Sequence, residues 1–349
     1  HLFMEGMTEM TARRKVTIRQ VAEQAGVSVG TVSNYLNGKT AVSKERAEKI
    51  QRAINELEYV PDMLASSLRR KDSRNIHVLT PNLNNGFYTN IIGSFMGYAY
   101  RAGYTVHISG YEYSPETERE HLRNLETGKP GTVVVIFNGN NDEEEIRRLI
   151  KRDIHVILAD RQTTIENTSS IGYDNREVIY HVIRQLKGKN YRSIGLLTEL
   201  TSLENVKKRR DSFLEAMEYF GYKDPQSCVY ARESLSLDKL KNGYLYMKEI
   251  LETHAREQLP DVWIATSDYL AIGLMRAIKE KGYSIPGDFG VVGYDNLELS
   301  EYVCPTLTTV EQDQKLFGEK LWEIIENYNH TKRVQEILLP QRLILRESC

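Results

Sequence analysis

The spacing of apolar residues changes near residue 74 of this 349-residue chain. Before that point apolar side chains recur every three or four positions, which is the period of an amphipathic helix. After it, short apolar runs rich in β-branched residues alternate with helical stretches, a pattern that predicts parallel sheets. The apolar faces of the N-terminal helices, which should form one small core, comprise Val21, Ala22, Ala25, Val32, Leu36, Ala47, Ile50, Ile54 and Leu57.

Hydroxyl residues precede the predicted N-terminal helices. Thr17 and Gln20 fit a capping box, in which each side chain satisfies an exposed backbone donor of the first turn. Ser28 and Ser43 are expected to cap the next two helices. Gly26 stands where a helix must end in a left-handed residue, so the first two helices should be joined by a very short turn. This arrangement predicts a helix-turn-helix.

The second part of the chain divides into two halves with the same rhythm. The predicted strands cover residues 76–79, 106–109, 133–137 and 156–159 in one half and 194–197, 262–265 and 291–293 in the other. The string IGYDN at 171–175 recurs as VGYDN at 292–296, which suggests a duplication. The predicted fold is therefore a small all-α headpiece followed by an α/β core of two doubly wound parallel-sheet lobes.

Composition narrows the class of protein. Hydrophobic residues make up 40% and charged residues 27%, which is typical of a globular chain and excludes disorder for most of it. No window approaches 18 apolar residues and the first residues lack the features of a signal peptide, so we expect a cytoplasmic protein, nucleoid-associated when bound to DNA, with no membrane partner. Three scattered cysteines form neither a disulfide framework nor a metal pair.

The charge is distributed unevenly along the chain. Residues 1–71 carry 12 Lys and Arg against 8 Asp and Glu, whereas the whole chain has a net charge of −2. A basic N-terminal region before an acidic body points towards nucleic acid. In a DNA-binding helix-turn-helix the second helix, here residues 28–37, enters the major groove. An ordinary helical hairpin is the alternative, since such units also occur as structural motifs.

The string VTIRQVAEQAGVSVGTVSNYLNG at 16–38 closely resembles the DNA-binding head of the lactose repressor and galactose repressor family of bacterial transcription regulators. The resemblance covers nearly the whole chain from Val16, and its other matching segments are 59–61, 64–68, 82–88, 160–161, 291–296 and 307–309. It implies a homodimer with a headpiece, a hinge helix and a core similar to periplasmic sugar-binding proteins, with a small effector between two lobes.

The resemblance also divides the chain into regions. These are an N-terminal tail at 1–15, a helix-turn-helix domain at 16–60, a hinge at 61–73 and an effector-binding core at 74–349. Within the core we expect an N-lobe of about 74–171 and 312–340 and a C-lobe of about 172–311 and 341–349.

Family likeness assigns roles in DNA binding to the headpiece. The residues placed near phosphates are Thr17, Ser28, Thr31, Ser33 and Asn37. The residues that face bases are Val29, Gly30 and Asn34. Among these three Asn34 is the best reader, because its amide can pair with an adenine edge, whereas Val29 can only touch a thymine methyl group. The alternative for Asn34 is an exposed helix position or a phosphate contact.

The hinge carries a second set of expected DNA contacts. Leu68 matches the leucine that family members insert between base pairs from the minor groove, which kinks the duplex. Ala65 supplies the small residue that the groove requires, and Arg69 begins a basic flank. The alternative for Leu68 is a linker residue packed on the core.

Charged residues at strand ends are the candidates for effector binding. Asp160, Asp268 and Asp295 each follow a predicted strand, on the side where open α/β sheets bind ligands. Arg209 lies in RRDSF, which resembles the family's Arg-x-x-Gly-Phe, whose arginine contacts effector. We expect Asp295 and Arg209 to serve the effector and not the fold. The alternatives are helix caps or interlobe salt bridges, above all for Asp160 and Asp268.

Two aromatic residues complete the candidate effector site. Phe87 and Tyr88 match an aromatic pair at the cleft entrance, where a ring can stack on a sugar face, although aromatic residues after a strand are often core. Ser212 and His77 depart from the glycines usual in the family. The effector is therefore expected to be a carbohydrate or a related compound that is atypical.

Enzymatic motifs are missing from the sequence. It contains no GxSxG, P-loop, strand-linked GxGxxG or HExxH string, and its histidines lack metal-ligand spacing, so we expect no enzyme, metal or cofactor. We predict a dimeric regulator, a repressor of a pseudo-palindromic operator, controlled by a small effector. The alternatives are a family regulator that responds to a phosphocarrier protein or a non-sugar corepressor, and a ligand sensor without operator binding.

Overall fold

The structure, a computed structural model, describes residues 16–36, 42–59, 74–136, 143–163, 165–199 and 204–349. The chain divides after residue 73 into two compact units, residues 1–73 and 74–349.

The first unit contains helices α1 (Ile18–Ala25), α2 (Val29–Leu36) and α3 (Lys44–Glu56). The predicted capping box is present at α1, where the Thr17 backbone N–H donates to Gln20 Oε1 at 2.8 Å. Gly26 ends α1 with φ at +62°, the left-handed conformation that the sequence predicted.

The caps of α2 and α3 differ. Ser28 Oγ accepts a hydrogen bond from the Thr31 backbone N–H at 3.1 Å, so Ser28 caps α2. Ser43 occupies the N-cap position of α3, but its side chain makes no capping hydrogen bond there, and the expectation for Ser43 was therefore wrong. Its hydroxyl is in the right place in sequence, but it is not directed at the first turn.

The predicted inward faces of the three helices meet in one core. Its buried members are Val21, Ala22, Ala25, Val32, Ile50 and Ala53. Hydrogen bonds from Gln24 to Glu56 and from Tyr35 to Gln51 join α3 to the other two helices.

The second unit alternates helices and strands. Its helices are α4 (Gly86–Arg101), α5 (Pro115–Gly128), α6 (Glu143–Ile150), α7 (Asn175–Gly188), α8 (Glu204–Tyr219), α9 (Lys239–Thr253), α10 (Asp268–Glu280), α11 (Leu299–Tyr302) and α12 (Gln314–Thr331). Its strands are β1 (Asn75–Thr80), β2 (Thr105–Gly110), β3 (Thr132–Ile136), β4 (His155–Ala159), β5 (Ser169–Tyr173), β6 (Ile194–Glu199), β7 (Val229–Arg232), β8 (Val262–Ala265), β9 (Gly290–Asp295), β10 (Thr308–Glu311), β11 (Glu336–Leu339) and β12 (Arg342–Ile344).

These strands form two sheets of six with the same internal order. The first runs β11-β5-β4-β3-β1-β2 and the second β12-β10-β9-β8-β6-β7. Among the described strands, all pairings are parallel except that of β12 with β10. Every strand predicted from the sequence is present. The predicted doubly wound, two-lobed core is confirmed by this order and by the likeness to solved structures reported below.

The chain passes between the lobes at three places, after β5, after β10 and between β11 and β12. The first crossing follows Tyr173, where the pairing of β5 with β11 ends, whereas the pairing of β5 with β4 ends at Ile171. The repeated IGYDN and VGYDN strings lie at the ends of β5 and β9. These strands occupy different positions in their sheets, so the repeat does not mark equivalent elements.

The packing of α9 on α10 depends on glycine. A methyl group at Gly273 would lie 2.2 Å from the Leu240 carbonyl oxygen, and one at Gly243 would lie 2.8 Å from the Leu270 carbonyl oxygen. The two helices can approach this closely only without side chains at those positions.

We therefore expect Gly273→Ala to lower the free energy of unfolding by about 1–3 kcal/mol, because the added methyl group forces the helices apart. Gly93, within α4, is the control, since a methyl group there meets no atom within 4 Å. Gly93→Ala should instead stabilise by about 0.5–1 kcal/mol through helix propensity. Urea unfolding of both variants tests this, and equal effects would contradict it.

No helix in the described part of the chain is both long enough and apolar enough to cross a membrane.

Candidate functional site

The first candidate site is the exposed face of α2. Gly30 and Asn34 are both exposed and lie one helical turn apart, so they share a face. Ser28 and Thr31 place two hydroxyl groups 2.8 Å apart at the N-terminus of the helix. This end of a helix carries free backbone N–H groups that favour phosphate.

The other headpiece residues that were predicted to contact DNA differ in how far they are exposed to solvent. Thr17 is exposed, whereas Thr31 and Ser33 are half-buried. Val29 is also half-buried and packs against the headpiece core, so only part of its side chain is available to a base. Asn37, Ala65, Leu68 and Arg69 lie outside the residues that the structure describes, and their roles in DNA binding stay predictions.

The second candidate site lies between the two lobes of the core. Asp160 directly follows β4 and Asp295 ends β9, and these strands hold the same position in their respective sheets. Both residues have positive φ, 62° and 111°. Both are buried, with 8% and 5% of their surface exposed. Each lobe thus contributes one carboxylate from an equivalent strand end.

Asp160 and Asp295 each accept a hydrogen bond from a side-chain amide. Asn205 Nδ2 donates to Asp160 Oδ2 at 2.5 Å, which links the first lobe to the start of α8. Gln312 Nε2 donates to Asp295 Oδ1 at 2.8 Å. Burial raises the pKa of Asp160 to about 6 and that of Asp295 to about 7, although the Arg209 guanidinium lowers both.

Arg209 is buried, and each of its three nitrogens donates a hydrogen bond within the protein. Its Nε donates to Asn175 Oδ1 at 3.2 Å, its Nη1 to the Thr266 carbonyl oxygen at 2.9 Å and its Nη2 to Gln312 Oε1 at 3.1 Å. The guanidinium carbon also lies 4.0 Å from the centre of the Tyr294 ring. The expectation that Arg209 does not serve the fold was therefore wrong, because these contacts hold the second lobe and its crossings together.

Arg209 and Tyr294 connect all three crossings between the lobes. Asn175 follows the first crossing, Gln312 lies at the second and Gln341 at the third. The Tyr294 hydroxyl lies 2.8 Å from Asn175 Oδ1 and 3.0 Å from Gln341 Oε1, and its single proton can serve either acceptor. We call Arg209, Tyr294, Asn175, Gln312 and Gln341 the crossing cluster.

A buried ion pair lies close to the same carboxylates. The Lys239 ammonium group donates to Glu199 at the end of β6, and the Thr266 hydroxyl donates to the other Glu199 oxygen. The side chain of Glu199 has no exposed surface. Although burial acts in the opposite direction, Lys239 holds the pKa of Glu199 below its usual value, and Glu199 raises the pKa of Lys239.

Asp268 does not belong with the residues open to an effector. The Thr309 hydroxyl donates to Asp268 Oδ1 at 2.6 Å and the Leu297 backbone N–H donates to Oδ2 at 2.7 Å, and the residue has no exposed surface. A methyl group at Gly293 would overlap the carboxylate. Asp268 therefore joins α10 to β10 and to the segment after β9, and we correct its predicted role to a structural one.

Phe87 and Tyr88 are buried as part of the first lobe's hydrophobic core, and neither forms an exposed entrance. The Phe87 ring contacts those of Tyr88 and Tyr173 at centroid distances of 5.3 and 6.4 Å. Tyr88 is close enough to Asp160 and Asp295 for their charges, after burial itself, to raise its pKa. Tyr88 therefore lies near the carboxylates of Asp160 and Asp295, and the Phe87 ring packs against the Tyr88 ring.

Sequence reasoning missed Glu199, Lys239, Asn175, Gln312 and Tyr294. One signal was available, because Glu199 ends a strand in the same way as the predicted aspartates. The amide residues of the crossings carried no such signal, since their role depends on which segments run side by side.

Comparisons with known proteins agree with this architecture. Residues 17–62 match the model of "Bacterial regulatory proteins, lacI family", and residues 183–349 match a "Periplasmic binding protein-like domain". The chain is 29% identical over 330 residues to the HTH-type transcriptional repressor PurR of Vibrio atlanticus (strain LGP32), covering 92% of this chain and 95% of that protein.

Solved structures of repressors have the same fold as this chain. The Lac repressor dimer bound to operator and the anti-inducer ONPF has a TM-score of 0.81 at 25% identity, covering 96% of this chain and 99% of that one. The Lac repressor bound to ONPG in the repressed state has a TM-score of 0.82 at 25% identity, covering 96% and 100%. These relatives are repressors and not enzymes, which agrees with the sequence-based prediction.

Proposed function

Since the chain belongs to the lacI family of bacterial regulatory proteins, we propose that it is a dimeric repressor whose affinity for an operator is set by a small effector bound between the core lobes. The observation that carries this proposal is the pairing of two features in one chain. One is the exposed Gly30 and Asn34 face of α2, and the other is the pair of buried carboxylates, Asp160 and Asp295, at equivalent strand ends of the two lobes.

The crossing cluster supports a route from effector to DNA. Gln312 donates to Asp295 and accepts from Arg209, so a ligand that engages Asp295 acts on the hydrogen bonds of the second crossing. A ligand that binds one lobe arrangement better than another shifts the balance between them. In a dimer this shift changes the spacing of the two headpieces, and with it their simultaneous access to two half-sites.

Exposed apolar side chains of the first lobe support the dimer. Met96 and Tyr100 lie one turn apart on α4 and are 38% and 83% exposed. Ile108 on the edge strand β2 and the nearby Leu83 are also exposed. Where exposed apolar side chains form a contiguous patch, the patch commonly marks a surface that another chain covers. Sedimentation of the purified protein tests this, and a monomer at operator-binding concentrations would contradict it.

The DNA-binding part is tested by selecting ligands from random duplex DNA and measuring affinity against salt concentration. We expect a two-fold symmetric sequence and an affinity that falls as salt rises, because phosphate contacts release counterions. Failure to select any sequence would favour a ligand sensor without operator binding.

Asn34→Ala is expected to weaken binding to the selected sequence by about 1–3 kcal/mol while leaving binding to random DNA nearly unchanged, since a base contact adds specificity and not general affinity. Fluorescence anisotropy with both DNAs measures this. Asn55→Ala on α3 removes the same side chain from another exposed helix position and serves as the control. Equal weakening on both DNAs would assign Asn34 to phosphate.

A further inference from the structure

A groove lies in the second lobe at the amino end of β6, away from Asp295. Its volume is about 480 Å³, and it is lined by the ends of α7 and α8 and by the segments that follow them. Ile194, at the start of β6, is level with Gly290 at the start of β9. Asp295 lies at the other end of β9, which is about 16 Å further along the strand at about 3.3 Å per residue. The groove is therefore separate from the candidate effector site.

The floor of the groove is apolar. Ile194 and Met217 are buried members of the second lobe's core, and the half-buried Phe220, Tyr222 and Cys228 pack against that core. The rings of Phe220 and Tyr222 thus leave apolar surface that is accessible from the groove. Small-molecule sites are mostly apolar clefts of about 300–1,000 Å³ with a few polar groups, and this groove falls within that range.

The rim of the groove is positively charged. Lys187, Arg192 and Lys223 line it and are exposed, and within residues 165–199 and 204–349 no aspartate or glutamate lines it. The Lys187 ammonium group donates to the Phe220 carbonyl oxygen at 2.6 Å. In the described part of the chain, the side chains of Arg192 and Lys223 make no hydrogen bond or ion pair. Their donors are therefore available to a ligand.

Neighbouring carboxylates do not offset these charges within the groove. Asp261 accepts from the backbone N–H groups of Arg192 and Ser193 at 3.0 and 3.3 Å, and its carboxylate also lies 3.6 Å from the Arg256 guanidinium. Neither Asp261 nor Asp224, which follows Lys223 in the chain, lines the groove. Like charges around one cleft attract a ligand of the opposite sign, so the groove favours an anion.

We propose that this groove binds a small organic anion, in which a carboxylate or phosphate group is attached to an apolar ring or chain. The anionic group accepts charge-assisted hydrogen bonds from Arg192 and Lys223. The apolar part covers Phe220 and Tyr222 and removes their rings from water. An inorganic anion leaves those rings uncovered, and a neutral compound leaves the cations without a partner. The site goes beyond the proposed function, because it lies outside the cleft between the lobes.

The experiment uses the full-length protein and the reactivity of Cys228, which lines the groove. Alkylation by iodoacetamide is followed at each cysteine by mass spectrometry, against the concentration of four probes. Phenyl phosphate and benzoate combine an anion with a ring, whereas inorganic phosphate and phenol each supply one of these features. We expect a ring-bearing anion to protect Cys228 at a concentration about tenfold or more below that of either single-feature probe. Cys304, which is exposed and outside the groove, is the internal control and should react at an unchanged rate.

Arg192→Gln and Lys223→Gln should each weaken this protection about fivefold or more, because each removes one charged donor. Lys248→Gln, at an exposed position of α9 outside the groove, removes the same charge and should leave protection unchanged. Circular dichroism of the three variants shows that they are folded. Equal protection by phenol and by the ring-bearing anions, no protection by either anion, or protection that both groove substitutions leave intact would each overturn the inference. None of these outcomes concerns operator binding, so the proposed function is tested separately.

Discussion

Arg209→Met is expected to destabilise the core by about 3–5 kcal/mol, the range found when one partner of a buried ionic group is removed. The methionine fills similar volume, but Asn175, Gln312 and the Thr266 carbonyl oxygen each lose the hydrogen bond that Arg209 donates. It also removes the cation that faces two buried carboxylates. Urea unfolding followed by circular dichroism measures the loss.

The loss of stability should depend on pH, and the direction of this dependence follows from the pKa values of Asp160 and Asp295. Their folded pKa values, about 6 for Asp160 and about 7 for Asp295, lie above the ordinary value of 3.8. The folded state therefore binds these protons more tightly, and its stability falls as pH rises through these values. Without Arg209 both pKa values rise further, so the deficit should be larger at about pH 8 than at about pH 5.5.

Arg210→Met provides the control for this prediction. Arg210 is the next residue of α8, and its guanidinium contacts Asp211 in a partly exposed pair. Loss of such a pair should change stability by less than about 1 kcal/mol. If Arg209→Met were as mild as Arg210→Met, or if its effect were independent of pH, the crossing cluster would not have the structural role assigned to it.

Lys239→Met is expected to cost about 3–5 kcal/mol for a related reason, because it leaves Glu199 buried without a counterion. The side chain of Glu199 has no exposed surface, and the Thr266 hydroxyl still donates to its carboxylate. Lys241→Met, two residues further along α9 at an exposed position, is the control and should be close to neutral.

The double variant Glu199→Gln/Lys239→Met separates charge from packing. Gln keeps an oxygen that can accept from Thr266 but carries no charge, so most of the lost stability should return. Thermal unfolding of the two single variants, the double variant and the wild type forms a complete cycle. A double variant as unstable as Lys239→Met would show that lost packing, and not the unpaired carboxylate, causes the effect.

The sequence by itself determined the local features, because they depend on neighbouring residues. Thr17 and Gln20 form the predicted capping box within one turn, and Gly26 ends α1 in the predicted left-handed conformation. The alternation of short apolar runs with helical stretches was enough to predict the two doubly wound lobes. Asp160 and Asp295 were predicted from their positions after strands, since the carboxyl ends of parallel strands meet at one edge.

Short strands with few apolar residues escaped prediction. β5, with the sequence SSIGY, contains two serines and a glycine, and it is a strand because β4 and β11 lie on either side of it. The repeat at its end was misleading for the same reason. Five identical or similar letters carry no information about where a strand lies in its sheet.

Only the tertiary structure decided which charged residues stabilise the fold and which belong to the candidate effector site. Arg209 bonds to Asn175 and Gln312, which lie 34 and 103 positions away along the chain. Lys239 pairs with a glutamate 40 residues earlier. Asp268 looked like Asp295 in sequence, but its two oxygens are satisfied by Leu297 and Thr309. Each difference arises because burial and hydrogen-bond partners depend on which distant segments pack together, and the spacing of residues along the chain does not contain that information.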